Sequence, residues 1–291
     1  MNFDSLKKSN RFYGGSEQKI SLTDGSNYYM AKFRKNSVRG YTFNHVSEYL
    51  GSHIFKLIGL DTHDTYLGHY YGADVVLCKD FNNDGSQFVA FNDVGESSIE
   101  EDKTKFQYTY GDIVKMLKAN KKITNVQETI DRFFDIFIVD ALIANPDRHG
   151  GNWGFLKRDN KYSLAPVFDN GASLFPGFSE ENEDELEFIL NNEDEINERV
   201  FQFPWSHILL NKRLSSYYQV INSLMFEECN NALKRIVPKI NLSNINELID
   251  SVECISDIRK RFLKTLIKAR YEKILMESYE KLLEKEKQNG K

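Results

Sequence analysis

The stretch from Gln127 to Gly171 leaves this chain the least freedom. Gln127 to Ala144 reads as a helix that is apolar almost all round, through Ile130, Phe133, Phe134, Phe137, Ile138, Ala141 and Leu142, so it has to be buried. It ends at Pro146 and delivers Asp147-Arg148-His149-Gly150-Gly151-Asn152 directly after that stop. Trp153 to Lys157 and Tyr162 to Val167 then read as two strands, with Arg158-Asp159-Asn160-Lys161 as the turn between them. A hairpin of that length returns the chain to where it left. Asp169, in Ala165-Pro166-Val167-Phe168-Asp169-Asn170-Gly171, therefore arrives beside Asn152. Two carboxylates and a carboxamide at one end of a hairpin suit Mg2+, a hard ion that takes oxygen ligands and is usually shared with phosphates.

Asp147 and Asn152 stand five positions apart, the spacing between the base and the metal-binding asparagine of a kinase catalytic loop. Asp169 takes the place of the second metal ligand of such a site. A polar turn could carry the first motif alone, so the test lies upstream.

There, Phe12-Tyr13-Gly14-Gly15-Ser16 leads into a strand near Lys19 to Leu22. Adjacent glycines let backbone N–H groups approach phosphates closely, and a simple turn is the equal alternative. Asp24-Gly25 marks a hairpin turn into Tyr28-Tyr29-Met30-Ala31-Lys32-Phe33. On that strand Met30 and Lys32 share a face, so Met30 is placed to cover a purine and Lys32 to reach its phosphates. Thr42 to Gly59 reads as a helix with Thr42 as N-cap, Gly59 as stop and Val46, Leu50, Ile54, Leu57 and Ile58 as its apolar stripe. Glu48 lies near enough to that stripe to face inward and pair with Lys32; a solvent-facing glutamate is the alternative. Strands at Thr65–His69 and Asp74–Leu77 complete a small antiparallel sheet, and Cys78-Lys79-Asp80-Phe81 leaves it where a hinge would sit. Adenine would be read there by backbone groups.

Phe81 to Lys105 reads as irregular, and Tyr110 to Ala119 as a helix. Of six histidines only His149 is positioned to matter, by hydrogen-bonding to hold the loop rather than by acid–base work. From Glu180 to Glu198 there are ten acidic residues and no Lys or Arg, within a chain of net charge −5. Such runs are usually solvated faces or mobile loops; this one follows Asp169 as an activation segment would, and favours a basic protein surface over an anionic membrane or nucleic acid. Beyond it the chain reads as helical: Glu198–Leu210 broken by Pro204, then 215–236, 243–252 and a long amphipathic helix over 256–285. Three scattered cysteines carry neither a disulfide nor a zinc framework. No signal-peptide or membrane-span pattern occurs, which makes the cytoplasm the expected setting.

Asn145-x-Asp147-Arg148-His149-x-x-Asn152 followed by Phe168-Asp169-Asn170-Gly171 resembles the HipA-like serine/threonine kinases, relatives of the phosphoinositide 3/4-kinase superfamily. Asp140-Ala141-Leu142-Ile143-Ala144-Asn145 before the loop and Asn152-Trp153-Gly154-Phe155-Leu156 after it resemble the compact HipA side, over about Gly14 to Phe203. The resemblance implies an α+β, bilobal protein-kinase-like fold. Residues 1–81 would form a small lobe of antiparallel sheet and one helix, and 82–291 a larger, mainly helical lobe carrying the catalytic β-hairpin. It implies ATP and Mg2+ as cofactors and a protein serine or threonine as acceptor. Asp147 would be the base, Asn152 and Asp169 the metal ligands, and Lys32, set by Glu48, the phosphate ligand. Gly14, Gly15, Ser16, Met30, Lys79, Asp80, Phe81 and His149 would surround the nucleotide. Regulatory phosphorylation of the glycine loop is known in this family and would fall on Ser16, whose alternative role is to cap a turn. Two departures keep other readings open. The chain has no room for the extra N-terminal subdomain of full-length HipA toxins, a piece that a separate small protein supplies in some relatives, so an antitoxin-like partner is possible. Asp-Asn-Gly in place of Asp-Phe-Gly is similar to type II phosphoinositide 4-kinases and keeps a lipid acceptor in view.

Overall fold

The computed structural model describes residues 1–14, 18–82, 85–94, 108–119, 123, 125–159, 161–178 and 182–289. Its N-terminal part is an antiparallel sheet in the order Lys7–Lys8, Lys19–Thr23, Tyr28–Phe33, Ala73–Lys79 and Thr65–Tyr70. The Asp24-Gly25 turn forms as the sequence requires: Asp24 Oδ1 accepts from the N–H groups of Ser26 and Asn27, and Gly25 takes a φ of 97°. In the register that follows, Lys32 lies opposite Val76 and Met30 opposite Cys78. One face of the sheet closes over Phe3, Leu22, Ala31, Tyr70, Val75 and Leu77.

The helix Asn44–Leu57 packs on the other side, with Val46, Leu50 and Ile54 buried and Glu48 among them. Thr42 is not its cap. Phe43 holds the N-cap position without a side-chain bond, because the Thr42 hydroxyl donates to Asn44 Oδ1 instead, at 3.1 Å.

The helix Val126–Ile143 forms the centre of the main core, as its all-round apolarity demands. Asn125 caps it by accepting from Glu128 N, and Ala144 ends it in the left-handed conformation with a φ of 53°. Gly154–Arg158 and Lys161–Leu164 form the expected hairpin. A third strand, Gln87–Ala90, joins its outer side, where the sequence reads as irregular. Phe88, Val89 and Ala90 are too short a run to stand out among Asn, Asp and Gly. Gly154 permits this pairing: a Cβ there would lie 2.3 Å from Val89 O.

The acidic run is not a loop. Glu183–Leu190 and Glu193–Phe201 are helices whose Leu186, Ile189 and Val200 enter the core while most of their carboxylates face out. Residues 180 and 181 lie outside the described residues. The helical expectation over 198–210 is likewise corrected. The chain leaves the helix at Phe201, passes a cis Phe203-Pro204 bond and reaches through bends Ile208–Leu209, which pairs in parallel with Tyr108–Thr109. The segment 215–236 divides into Tyr217–Asn222, opened by a Ser216–Gln219 capping box, and Glu227–Ile236. Leu242–Asp250 follows, and the long C-terminal helix passes through a π turn at Tyr271–Met276 between Asp257–Arg270 and Glu277–Asn289. No disulfide joins the three cysteines, and among the described residues no helix is long and apolar enough to cross a membrane.

Gly154→Ala should force the strand Gln87–Ala90 away from the hairpin and cost about 1–3 kcal/mol. Urea unfolding measures this; an unchanged midpoint would show that the third strand yields freely.

Candidate active site

Four separate segments meet at one end of the hairpin. From the sheet comes Lys32, buried, with Nζ 2.7 Å from Glu48 Oε2 on the packed helix and 2.7 Å from Asp169 Oδ1. Burial alone would lower the lysine pKa, but Glu48 and Asp169 outweigh it and hold the ammonium well above its ordinary range. Burial likewise pushes Glu48 up, and Lys32 and His63 together bring its carboxyl well below the usual carboxylate range. The pair is charged on both sides.

The loop Asp147–Asn152 is held from beneath. Arg148 is buried and spends all five guanidinium N–H donors. Nε and Nη2 grip Asp140 at 2.9 and 3.1 Å; Nη1 donates to the carbonyls of Asn152 and Phe168; Nη2 also donates to Asn170 Oδ1. Burial would lower the Arg148 pKa, yet Asp140 more than offsets it. Asn145 completes the floor, donating to Asp140 Oδ1 at 2.9 Å and accepting from Asp147 N at 3.0 Å.

On this floor the Asp147 side chain is 53 % exposed. Asn152 Nδ2 donates to the Asp147 carbonyl at 2.8 Å and to Asp147 Oδ2 at 3.2 Å. His149 does what the sequence suggests. Its Nδ1 accepts from Gly151 N at 3.0 Å, which leaves Nε2 facing Asp147 Oδ1 at 3.8 Å. Burial keeps the imidazole pKa lowered despite Asp147.

Asp169 stands at a left-handed φ of 59°. The next residue explains how the turn is kept. Asn170 N donates to Glu48 Oε1 at 3.1 Å, Asn170 Nδ2 donates to Ser52 Oγ at 3.0 Å, and Asn170 Oδ1 accepts from Arg148. His63 Nε2 lies 3.1 Å from both Glu48 Oε1 and Ser52 Oγ. Gly51 makes room, since a Cβ there would meet Asn170 Cβ at 2.6 Å. The Asp-Asn-Gly motif is thus a hydrogen-bonded turn between a helix and an arginine.

Of the remaining expected residues, Met30 shares the face of Lys32 and is half-buried. Lys79 N is used within the fold, donating to Asp64 O, and the Asp80 carboxylate is taken by Arg11, by Tyr13 OH at 3.0 Å and by Asn82 N at 2.7 Å. Phe81 packs with Phe88 and Phe168 at ring separations of 6.1 and 5.7 Å, joining the hinge to the residue before Asp169. Gly14 stands in open space, and Gly15 and Ser16 lie outside the described residues. Sequence reasoning missed Ser52, His63 and Gly51, and it placed Asp140, Arg148 and Asn170 in the motifs without giving them a role. Asp140 carried a further signal, as a carboxylate in a helix with almost no polar face.

The donor set fits a hard cation. Asn152 Oδ1 accepts no hydrogen bond from the described residues, and one Asp169 oxygen remains beyond Lys32 in a side chain 34 % exposed. Both are oxygens, as Mg2+ requires.

Residues 12–245 match the model of the HipA-like C-terminal domain. The chain is 32 % identical over 289 residues to the serine/threonine-protein kinase CtkA of Helicobacter pylori strain J99, covering 97 % of this chain and 88 % of that protein. The crystal structure of the Helicobacter pylori proinflammatory kinase CtkA superposes with a TM-score of 0.89 at 32 % identity, covering 98 % of this chain and 99 % of that one. HipA of Shewanella oneidensis MR-1, solved in a toxin–antitoxin complex with HipB and operator DNA, gives a TM-score of 0.60 at 14 % identity over 94 % of this chain and 70 % of that one, a likeness of fold. The α+β, kinase-like architecture follows from these matches.

Arg148→Met should leave Asp140 as an uncompensated buried carboxylate and cost about 3–5 kcal/mol. Urea unfolding of Arg148→Met beside the double variant Arg148→Met/Asp140→Leu checks it. The double variant is expected to recover much of the loss, and equal losses would contradict the charge argument.

Proposed function

We propose that this chain, which belongs to the HipA-like C-terminal domain family as a serine/threonine protein kinase, carries out phosphoryl transfer with Asp147 as base and Lys32, Asn152 and Asp169 as its phosphate and metal ligands. The observation that carries this is the convergence of Lys32, Glu48 and Asp169, from three distant segments, beside a loop whose Asn152 grips Asp147. The division into lobes at residues 1–81 and 82–291 belongs to the same proposal.

Lys32, kept charged and aimed by Glu48, takes the α/β-phosphates of ATP. Asn152 and Asp169 hold Mg2+, which supplies charge neutralisation across the phosphates when bound. Asp147 orients the acceptor hydroxyl and accepts its proton as oxygen bonds to the γ-phosphorus and the bond to ADP breaks. Asn152 Nδ2 fixes one Asp147 oxygen, and the other stands 3.8 Å from His149 Nε2 in a side chain 53 % exposed, within reach of an acceptor hydroxyl as a base must be. Positioning and electrostatics supply most of the rate. The Asp-Asn-Gly departure is accounted for by the bonds of Asn170, so it gives no separate support to a lipid acceptor. The outward carboxylates of Glu183–Leu190 and Glu193–Phe201 favour a basic protein acceptor. A small antitoxin-like partner is a further proposal, supported only by the likeness of fold to the Shewanella protein.

Asp147→Asn should fold normally and lose about 10²–10⁴-fold in phosphotransfer; full activity would remove the base assignment. Asp169→Asn should weaken ATP binding in the presence of Mg2+ and leave metal-free nucleotide binding nearly intact. Calorimetric titrations with and without Mg2+ separate the two, and equal losses would contradict a metal role.

A further inference from the structure

Between the acidic helix and Ile208 the chain runs through a turn and bends, with its residues from Phe203 onward alternating in exposure. Pro204, Ser206 and Ile208 are buried, while Phe203 and Trp205 are each 42 % exposed and His207 is half-buried. Between Phe203 and Ile208 the residues that reach solvent all carry rings: Phe203, Trp205 and His207. The first two lie edge-to-face at 5.9 Å. The third ends at the catalytic loop: His207 Nε2 donates to Pro146 O at 2.8 Å, one residue before Asp147, and its ring lies 6.2 Å from that of His149.

This strip is braced from behind. Arg270, buried in the C-terminal helix, donates to the carbonyls of Arg199 and Phe203, and Ser206 N donates to Ser215 O at 2.8 Å. The core is available to these rings and does not take them. Phe203 and Trp205 are turned to solvent by backbone that buried groups hold in place. At its far end the strip adjoins the acidic helix, where Phe203 N donates to Glu198 O. The carboxylates of Asp194 and Glu198 meet no cation among the described residues.

We infer that Phe203 and Trp205 form the docking strip for the acceptor segment of the protein substrate. The partner is an extended peptide that lays an apolar side chain on the two rings, turns a lysine or arginine toward Asp194 and Glu198, and brings its serine or threonine to Asp147. An exposed aromatic pair, followed two residues on by the hydrogen bond of His207 to the loop before Asp147, and two carboxylates without a cation partner among the described residues at the other end, select that occupant. The inference rests on the kinase reading and names its substrate class.

The chain's two tryptophans make the test independent of catalysis, since Trp153 is buried and Trp205 is not. The probe is a synthetic peptide library with a fixed central serine and degenerate flanks, used with the full chain, Mg2+ and ATP. Phosphorylation is expected to select an apolar residue close to the acceptor and a basic one further away. Trp205→Ala should erase the apolar selection and raise the KM of the best peptide about tenfold, with kcat and the KM for ATP moved less than twofold; Trp205→Phe should restore most of the selection. Binding of that peptide should shift the tryptophan emission to the blue in wild type and equally in Asp147→Asn, and not in Trp205→Phe.

Phosphorylation with unchanged selection and KM in Trp205→Ala overturns the strip and leaves the kinase reading standing. Undiminished phosphorylation by Asp147→Asn overturns the base instead, while the fluorescence still reports on the strip. Sedimentation showing a dimer that Trp205→Ala dissociates would assign the strip to a second copy of the chain and overturn the inference. If no peptide is phosphorylated and none shifts the emission, the strip and the kinase reading both fall.

Discussion

Arg148 is the constraint on which the site depends. A buried guanidinium without partners is untenable, and its five donors reach four parts of the site: two go to Asp140 on the central helix, and one each to Asn152 of the loop, Phe168 at the end of the hairpin and Asn170 of the Asp-Asn-Gly turn. Moving any one of these strands a buried charge. The arrangement explains why Asp147, though half in solvent, sits on backbone that cannot drift, and why Asp169 can persist in a left-handed conformation. Strain at the aspartate is offset by the bonds of the residue after it.

A second network crosses from the small sheet to this floor. Lys32 joins Glu48 and Asp169; Glu48 reaches Asn170 N; Ser52 and His63 close the loop behind. The helix Asn44–Leu57 is therefore fixed to the Asp-Asn-Gly turn by charge and hydrogen bonds, at a distance that only Gly51 allows. Apolar packing around Val46, Leu50 and Ile54 supplies the bulk of the burial, and the polar contacts set the register within it.

Much of this was legible in the sequence because local rules agreed there. A helix with no polar face must be buried, a proline must end it, and a hairpin must return, so Asp147, Asn152 and Asp169 could be brought together before any coordinates. The Lys32–Glu48 pair was legible for the same reason, through strand and helix periodicity. The roles of Arg148 and Asn170, and Ser52 and His63 altogether, were not, since nothing local tells a buried polar side chain from a solvated one when its partners are distant. The strand Gln87–Ala90 was hidden because its pairing partner, not its own pattern, makes it a strand. The acidic run was read as a solvated face or a mobile loop; it is the solvated face of two helices, which Leu186, Ile189 and Val200 pin to the core.

In kinases whose metal motif carries a phenylalanine, that ring packs in an apolar slot, and its position distinguishes active from inactive forms. Here the corresponding residue is Asn170, and leaving its place would uncouple an arginine, a serine and a glutamate at once, all of them buried. An apolar ring can slide between greasy surfaces at little cost; an amide with both ends bonded cannot. The aspartate-out state has no comfortable resting place in this fold. Inhibitors that work by trapping such a state in other kinases would meet a closed door here, and selective ligands would have to be sought among compounds that accept the turn as it stands.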